Sequence, residues 1–349
     1  FPTRRSSDLI DIGCSCGIYN IDVYDGKVVM KYSVTIRTIG KNPETLKREL
    51  ESIARQTVLP NEIIIYIAEG YERPSYTIGE EKYVWVRKGM VAQRALKYEE
   101  ISSEVVLMLD DDVELAEDSA EKMLKAMENN GLDCLAADTF KNQDMSWKQK
   151  VAAFLSNFVY ARRDDGWAFK QCRNGSFTFN ENPQKSLCLT ETFAGPCWMV
   201  KKDVLHAVHL EDELWLDRMG FAYGDDAVES YKFYLNGYRS GVLYDSGVTN
   251  LDAKTSSGGY HRSDKKFYTR SFGMFTTWWR MIYSSRDKKW LSALLYSCKV
   301  LWQVLIHLLL GLKMMNVKVP YNYLKGQVDA WRYVHTETFK AIPSYVINK

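Results

Sequence analysis

Hydrophobic and polar residues alternate in blocks along residues 32–137, and the period of the pattern changes from block to block. Residues 32–38 alternate at every second position and are rich in β-branched side chains, which predicts a strand. Behind Pro43, apolar residues recur three and four positions apart, which predicts a helix that begins at this proline. The same patterns predict strands at 62–67, 82–86, 105–109 and 132–137, and helices at 89–100 and 118–129. Strands and helices that alternate in this way predict an α/β fold with a mostly parallel sheet and helices on both of its faces.

The strongest chemical signal follows the predicted strand at 105–109. Five apolar residues run directly into Asp110, Asp111 and Asp112. Adjacent carboxylates repel one another, so a cluster at the end of a buried strand is stabilised when a cation neutralises it. Ligands bind at the carboxyl ends of strands in open α/β sheets, and Mg²⁺ or Mn²⁺ takes oxygen ligands. The alternative is a solvated acidic turn that precedes the next helix.

A second acidic pair, Asp225 and Asp226, precedes a predicted helix that ends near Gly237. A helix N-terminus stabilises an ionised carboxylate by about 0.3–1 kcal/mol. This effect favours the deprotonated state of Asp226, which is the state that a general base requires. From these residues alone, a pair of helix-capping aspartates is the simpler interpretation.

Composition and charge exclude some classes of protein. The chain has 349 residues, of which 46% are hydrophobic, enough for one large domain with an appendage or for two domains. A formal net charge of +2 does not indicate a nucleic-acid-binding protein, and no nucleic-acid partner is expected. Seven cysteines without paired metal-ligand spacing indicate reduced thiols in a cytosolic compartment. His206 and His209 lie three residues apart, but a solvated helix face explains them better than a metal site.

The first 29 residues are expected to lie outside the fold. Residues 1–9 resemble a translated sequencing adapter, and Met30 resembles a start immediately before the first predicted strand. We therefore interpret residues 1–29 as an artefact or as translated upstream sequence.

The region from residue 266 onwards contains a long apolar segment, Trp290–Leu312, of sufficient length to cross a bilayer at about 1.5 Å per residue. However, Lys299, Gln303 and His307 recur every fourth residue and form a polar stripe. A lysine at the bilayer centre costs about 2.5–3.5 kcal/mol on insertion scales. Because basic residues flank the segment, an amphipathic helix on an anionic membrane surface is expected. The alternative is a helix that packs its apolar face against the rest of the protein.

In their order and spacing, these motifs resemble the inverting family 2 glycosyltransferases of the GT-A type, over about residues 31–275. The resemblance rests on Gln56-Thr57, Pro60–Ile64, Gly89–Arg94, Leu109–Asp112, Gly195, Trp198–Val200 and Tyr223–Asp226. It implies a Rossmann-like GT-A domain over residues 30–265 and a C-terminal helical region over residues 266–349, which is expected to associate with a membrane. Tyr268, Arg270 and Ser271 are similar to a segment that precedes such helices in bacterial members that build cell-surface polysaccharide.

The resemblance also implies a role for individual residues. Asp110 and Asp112 correspond to the D-x-D acids that bind a divalent Mn or Mg ion, with Asp112 as the main ligand and Asp110 nearer the ribose or the water shell of the metal. Asp226 corresponds to the catalytic base, and Asp225 to an acceptor contact. Asn250 or Asp252 stands where the family often has a further histidine ligand. Contacts to the nucleotide are implied for Thr38, Glu69, Gln93 and Arg94.

Three segments depart from the family pattern. Arg37 replaces the usual proline, Ala68–Tyr71 replaces Asp-Asp-Gly-Ser, and Ala95 replaces an asparagine. These departures bear on which nucleotide base the donor carries more than on the fold.

The function implied is a metal-dependent, inverting transfer of a sugar from a nucleoside-diphosphate sugar to an acceptor hydroxyl. The acceptor is expected to be a saccharide or a lipid-linked saccharide in bacterial polysaccharide or glycoconjugate synthesis, and the enzyme is expected to be cytoplasmic, peripheral on the inner face of the plasma membrane. One alternative is a non-catalytic relative that binds sugar nucleotides or a partner. Another is a nucleotidyltransferase acting on a sugar phosphate, but its glycine-rich loop would have to form where the chain has only Gly40.

Overall fold

The structure is a computed structural model that describes residues 23–24, 27–28, 30–219, 223–251 and 265–348. The chain divides into two units, residues 1–30 and 31–349. In the first unit, β1 (Val23–Tyr24) and β2 (Lys27–Val28) form an antiparallel ladder. The rest of the tail predicted at residues 1–29 lies outside the described residues.

The strands of the second unit form one large sheet and two small ones. They are β3 (Tyr32–Thr38), β4 (Ile63–Ala68), β5 (Glu81–Val86), β6 (Val105–Asp110), β7 (Val113–Leu115), β8 (Cys134–Ala137), β9 (Tyr160–Arg162), β10 (Phe169–Gln171), β11 (Phe177–Asn180), β12 (Leu187–Leu189), β13 (Cys197–Lys201), β14 (Ser240–Leu243) and β15 (Val248–Asn250). The large sheet has the order β12-β14-β8-β13-β6-β3-β4-β5. Only β12 and β13 run against the other six strands. The predicted mostly parallel sheet is therefore confirmed.

The helices of the second unit begin and end close to the predicted positions in the first half of the chain. They are α1 (Pro43–Ala54), α2 (Ser119–Asn130), α3 (Trp147–Asn157), α4 (Lys202–Ala207), α5 (Asp225–Leu235), α6 (Lys265–Trp278), α7 (Lys289–Lys313), α8 (Lys318–Val334) and α9 (Glu337–Lys340). Pro43 opens α1, where its fixed φ suits the first helical turn. Gly131 closes α2 with a φ of 56°, a left-handed conformation that glycine adopts without strain.

The helix predicted at 89–100 is wrong, because the segment forms turns. The carboxylate of Asp217 accepts hydrogen bonds from the backbone amides of Val91 and Ala92, at 3.1 and 2.9 Å. These bonds hold a single turn in place. At Tyr98 the backbone has a φ of 51°, which no helix can contain. A distant side chain therefore overrides the local pattern.

The C-terminal helices pack against one another and against the loop that precedes α5. Ser271 Oγ donates to the Tyr323 carbonyl at 2.6 Å, which ties α6 to α8. Thr277 Oγ1 donates at 3.1 Å to the carbonyl of Tyr223, two residues before α5. The end of α6 thereby supports the loop that leads into the second acidic pair.

The polar stripe of α7 faces the protein. Lys299 Nζ donates to the Asn174 carbonyl, and Gln303 Nε2 to the Leu155 carbonyl, both at 3.3 Å. The apolar side of the helix is exposed instead, so the alternative in which this side packs on the protein is wrong. Within the described ranges, α7 is the one helix long and apolar enough to cross a membrane.

Candidate functional site

Arginine side chains bind the first of the three aspartates at the end of β6. Arg37 donates to the Asp110 carboxylate through Nε and, at 3.1 Å, through Nη2. The two residues lie opposite each other in the parallel ladder of β3 and β6, so the strand register produces this pair. Arg94 Nη2 donates to Asp110 Oδ1 at 3.3 Å. Two guanidinium groups therefore fix the orientation of the Asp110 carboxylate.

Asp111 is held by threonines from β3 and α1. Thr38 Oγ1 donates to Asp111 Oδ2 at 2.5 Å, and Thr45 Oγ1 donates to the Asp111 carbonyl at 2.9 Å. Burial, together with the flanking Asp110 and Asp112, raises the pKa of Asp111 to about 6, although the bond from Thr38 opposes the shift. The turn is thus anchored to β3 and α1.

The second acidic pair opens α5, as predicted. Asp226 Oδ1 accepts a hydrogen bond from Arg94 Nη1 at 2.6 Å, and 33% of the Asp226 side chain is exposed. Asp225 is buried, with Oδ2 at 3.7 Å from Arg94 Nη1 and 4.0 Å from Arg37 Nη1. Asp226 is partly exposed to solvent, whereas Asp225 lies inside the ion-pair network.

Arg94 joins the two acidic clusters. Its buried guanidinium contacts Asp110 on one side and Asp226 on the other, and it donates to Glu229 Oε2 at 3.0 Å. It also donates to the Gly195 carbonyl at 2.8 Å. A Cβ on Gly195 would lie 2.1 Å from Asp226 Oδ1 and 2.5 Å from Arg94 Nη2, so this close approach requires glycine. Two clusters that are distant in sequence therefore meet at one site.

Burial and charge set the protonation of this network. Burial, and then the charge of Asp226, raises the pKa of Asp225 well above its ordinary value. Burial likewise raises the pKa of Glu229 to about 7, with Arg94 opposing the shift. Burial acts in the same direction on Asp110, but the two arginines outweigh it and lower the pKa of that carboxyl.

Oxygen donors suitable for a hard cation lie beside the turn. The backbone amide of Leu251 donates to the Asp112 carbonyl at 2.8 Å, and Asn250 pairs with Val113 in the ladder of β15 and β7. Asn250 thus lies next to Asp112. Carboxylate and amide oxygens are ligands for Mg²⁺, which commonly keeps several waters and binds substrate phosphates. The role of Asp112 as the main cation ligand, which the family resemblance implies, stays a prediction.

Asp110 fits direct coordination less well, because Arg37 binds both of its carboxylate oxygens. This arrangement is compatible with the predicted position of Asp110 near the ribose of the nucleotide or the water shell of the metal. Residues 30–219, 223–251 and 265–348 contain no group of three Asp, Glu, His or Cys side chains that could hold a metal. Asp252, the other candidate ligand, lies outside the described residues. Metal binding stays a prediction.

A cleft of about 460 Å³ opens beyond the ends of β3 and β4, lined by residues 39–43 and 70–75 and by Leu46. Lys88 Nζ donates to the hydroxyl of Tyr71 at 2.7 Å, and Lys41 Nζ lies 5.6 Å from the centroid of the same ring. An aromatic ring flanked by two lysines suits a planar base attached to phosphates.

The residues predicted to bind the nucleotide occupy different environments. Gln93 Nε2 donates to the carbonyls of Thr38 and Tyr66, at 3.1 and 3.2 Å, and so links β3 to β4. Thr38 and Arg94 bind the aspartates, and Glu69 is exposed after β4, beside the cleft. Three of the four thus support the site from within the protein, and their contacts to a nucleotide stay predictions.

Sequence reasoning missed three residues of the site. Arg37 was noticed only as a departure from a family pattern, and its partner is apparent only from the strand register. Glu229 lies three residues after Asp226 on α5, a spacing that brings side chains together on one helix face. Glu49 interrupts the apolar face of α1 and is fully buried, a signal that was available in the sequence.

One known protein family matches part of the chain. The family model for glycosyl transferase family 2 matches residues 82–208, which include the turn at Asp110–Asp112 and end before the second acidic pair. Among curated proteins, no sequence matches the chain.

Two solved structures illustrate the structural likeness. S. aureus TarS, residues 1–349 in complex with UDP-GlcNAc, aligns with a TM-score of 0.51 and 14% identity, over 90% of this chain and 84% of that one. GalNAc-T7 with UDP, GalNAc and Mn²⁺ aligns with a TM-score of 0.45 and 13% identity, over 64% of this chain. This chain covers 43% of the GalNAc-T7 chain. At these identities the likeness to TarS supports the fold alone.

Proposed function

We propose that the chain, whose residues 82–208 match the family model for glycosyl transferase family 2 and whose fold resembles that of TarS, is a glycosyltransferase that inverts the anomeric configuration of the sugar it transfers. The observation that carries the proposal is the bridge by Arg94 between Asp110 and Asp226, at 3.3 and 2.6 Å. This bridge holds the end of the donor-binding strand beside an accessible carboxylate. An inverting transfer requires this combination, because base and leaving group act on opposite sides of one carbon.

The donor in this proposal is a nucleoside-diphosphate sugar, with its base in the cleft of residues 39–43 and 70–75. Tyr71 offers a ring face, and Lys41 and Lys88 offer positive charge to the diphosphate. S. aureus TarS was solved with UDP-GlcNAc, so a UDP sugar is the first donor to test.

In the reaction step, Asp226 accepts the proton of an acceptor hydroxyl. The hydroxyl oxygen forms a bond to the anomeric carbon from the face opposite the diphosphate, while the bond from that carbon to the phosphate oxygen breaks. A divalent cation at Asp112 would neutralise the charge that develops on the departing nucleoside diphosphate. Arg94 Nη1 donates to Asp226 Oδ1 at 2.6 Å and thereby orients the carboxylate that accepts the proton.

We also propose that the enzyme works at the cytoplasmic face of a bacterial membrane on a saccharide or lipid-linked acceptor. The exposed apolar side of α7 and the lysines on both sides of it support this location.

The test combines binding and turnover for Asp226→Asn. Calorimetry with UDP sugars, with and without Mn²⁺, measures donor binding, and product analysis measures transfer. We expect the variant to bind the donor like the parent and to lose about 10²–10⁴-fold in transfer, the usual contribution of a positioned base. Asp118→Asn removes an exposed aspartate at the start of α2 and serves as the matched control.

Two results would contradict the proposal. Transfer at the parental rate by Asp226→Asn removes that residue as the base. Sugar binding without turnover by the parent, across the donor panel, supports the non-catalytic alternative.

A further inference from the structure

The outward sides of α7, α8 and the turn between them form an exposed apolar surface, which we call the apolar platform. It includes Leu301, Leu305 and Leu312 on α7, Met315 and Val317 in and after the turn, and Tyr321 on α8. Leu301 is 71% exposed and Met315 94%. Water-soluble helices bury such a stripe and expose their polar side. The opposite arrangement requires an apolar environment outside the protein.

The platform is a fixed part of the fold. A Cβ on Gly311 would lie 2.9 Å from Pro320 Cδ, so α7 and α8 meet in close contact. Trp302 Nε1 donates to the Leu155 carbonyl at 3.0 Å, which places the end of α3 beside α7. The ring of His307 stacks on Tyr323 with a centroid distance of 4.2 Å. The two long helices therefore present their apolar residues from one rigid support.

The same contacts determine how α7 is oriented. Its 25 residues extend about 37 Å. In the polar stripe, Lys299 donates to the Asn174 carbonyl and Gln303 to the Leu155 carbonyl. A helix that crossed the bilayer would break these bonds and leave a lysine in the hydrocarbon. The helix instead lies along the protein body with one side open.

Charge identifies the partner. From residue 288 to residue 328 the chain has six lysines and no acidic residue. Lys299 faces inward, whereas the other five, Lys288, Lys289, Lys313, Lys318 and Lys325, are exposed around the platform. A surface of negative charge over an apolar layer complements this arrangement. A second copy of the chain would bring like charges together, which opposes dimerisation through this face.

We propose that the apolar platform inserts into the headgroup region of an anionic phospholipid bilayer, with α7 parallel to the membrane plane and confined to one leaflet. The inference deepens the proposed membrane location and rests on it, but it is independent of the transfer reaction. Trp290 and Trp331, both exposed at the margins, match the aromatic side chains that favour this depth.

Flotation with vesicles tests the partner. We expect the parent to bind phosphatidylglycerol vesicles, to bind phosphatidylcholine vesicles at least tenfold more weakly, and to lose affinity as salt rises. Leu301→Glu with Leu312→Glu should bind at least tenfold more weakly than the parent. Leu59→Glu, at a residue that is 64% exposed before β4, is the matched control and should bind like the parent.

Donor binding and transfer are measured separately from vesicle binding. Asp226→Asn should float with vesicles like the parent, and the double glutamate variant should still bind the donor, so failure of one proposal is distinct from failure of the other. Absence of vesicle binding by the parent, or no effect of the two glutamates, would overturn the inference. A concentration-dependent dimer that the same glutamates dissociate would assign the platform to a second copy.

The flat orientation has its own measurement. Lys289→Cys, at the first residue of α7, and Lys313→Cys, at its last residue, are introduced one at a time after Cys298→Ser. With vesicle-bound protein, an impermeant maleimide added outside should label both positions at equal rates above the background of the parent without an added cysteine. Labelling of only one end would show that α7 spans the bilayer.

Discussion

At the scale of single residues, the site is organised by a balance of charge. Two arginines, the buried Arg94 and the partly buried Arg37, lie among four carboxyl groups. Burial raises the pKa of Asp225 and Glu229, so these two carboxyls hold protons more readily than Asp110, whose pKa is lowered. Fewer than four negative charges therefore face the two guanidinium groups. This balance reduces the cost of desolvating charge close to a reactive centre.

Glu49 gives the first prediction at this scale. It is fully buried behind the aspartate turn, neither carboxylate oxygen has a hydrogen-bond partner of good geometry, and burial followed by the nearby aspartates raises its pKa well above 4.5. The folded state therefore keeps a proton that the unfolded state loses as pH rises above 4.5, and stability falls with pH at about 1.4 kcal/mol per unit for one proton. Glu49→Gln should remove this slope.

Urea unfolding between pH 5 and 8 measures this effect. We expect Glu49→Gln to gain stability relative to the parent as pH rises, because the amide has no proton to lose. Glu44→Gln, exposed on the same helix, controls for the change in charge. A difference between Glu49→Gln and the parent that is constant across this range would contradict the protonated state of Glu49.

At the scale of elements, local pattern predicted most strands and helices of the first half, because their apolar periodicity agrees with their burial. It failed at 89–100, where the cap of the turn comes from Asp217, more than a hundred residues away. The local pattern located the polar stripe of α7 but did not show that the stripe faces the protein. The carbonyls that accept hydrogen bonds from Lys299 and Gln303 belong to Asn174 and Leu155, which are distant in the sequence. In the site, the motifs indicated the aspartates. The pairing of Arg37 with Asp110 depends on the register of β3 and β6, which the local pattern does not determine.

The packing of α6 on α8 predicts how Gly326→Ala changes stability, because the cost of overpacking opposes the gain that alanine brings to a helix. In an exposed helix, Gly→Ala stabilises by about 0.5–1 kcal/mol. A Cβ on Gly326 would lie 2.6 Å from the Tyr268 carbonyl oxygen and 2.8 Å from Ser271 Cβ, which forces the helices apart. Overpacking costs about 1–3 kcal/mol, so we expect Gly326→Ala to destabilise the protein.

Urea or thermal unfolding checks this sign. Val328→Ala, on the exposed side of α8, is the control and should change stability by less than about 0.5 kcal/mol. If Gly326→Ala is as stable as the parent or more stable, the contact between α6 and α8 is looser than described.

At the scale of the whole molecule, the C-terminal region is part of the catalytic unit. The carboxylate of Glu213 accepts hydrogen bonds from Arg280 at 2.7 and 3.1 Å, and Lys232 Nζ of α5 lies 3.0 Å from it. Arg280 also donates to the Pro343 carbonyl at 2.8 Å. One buried carboxylate thus links α5, the segment after α6 and the end of the chain. The platform and the acidic site consequently belong to one folded body, so the proposed membrane attachment through the platform would fix the position of the acidic site above the surface.

This linkage predicts a large effect of Glu213→Gln. Loss of one partner from a buried ion pair costs about 3–5 kcal/mol, because the remaining charges stay desolvated. Although burial acts to raise the pKa of Glu213, Arg280 and Lys232 lower it below 4.5. The stabilisation is therefore complete at pH 7 and decreases as pH falls through the lowered value, so the deficit of the variant should shrink under acid conditions. Glu211→Gln, at an exposed pair with His209, is the matched control and should cost less than about 1 kcal/mol. Urea unfolding at pH 7 and at pH 4 measures both differences, and equal costs for the two variants would mean that the C-terminal region is not held to α5 through Glu213.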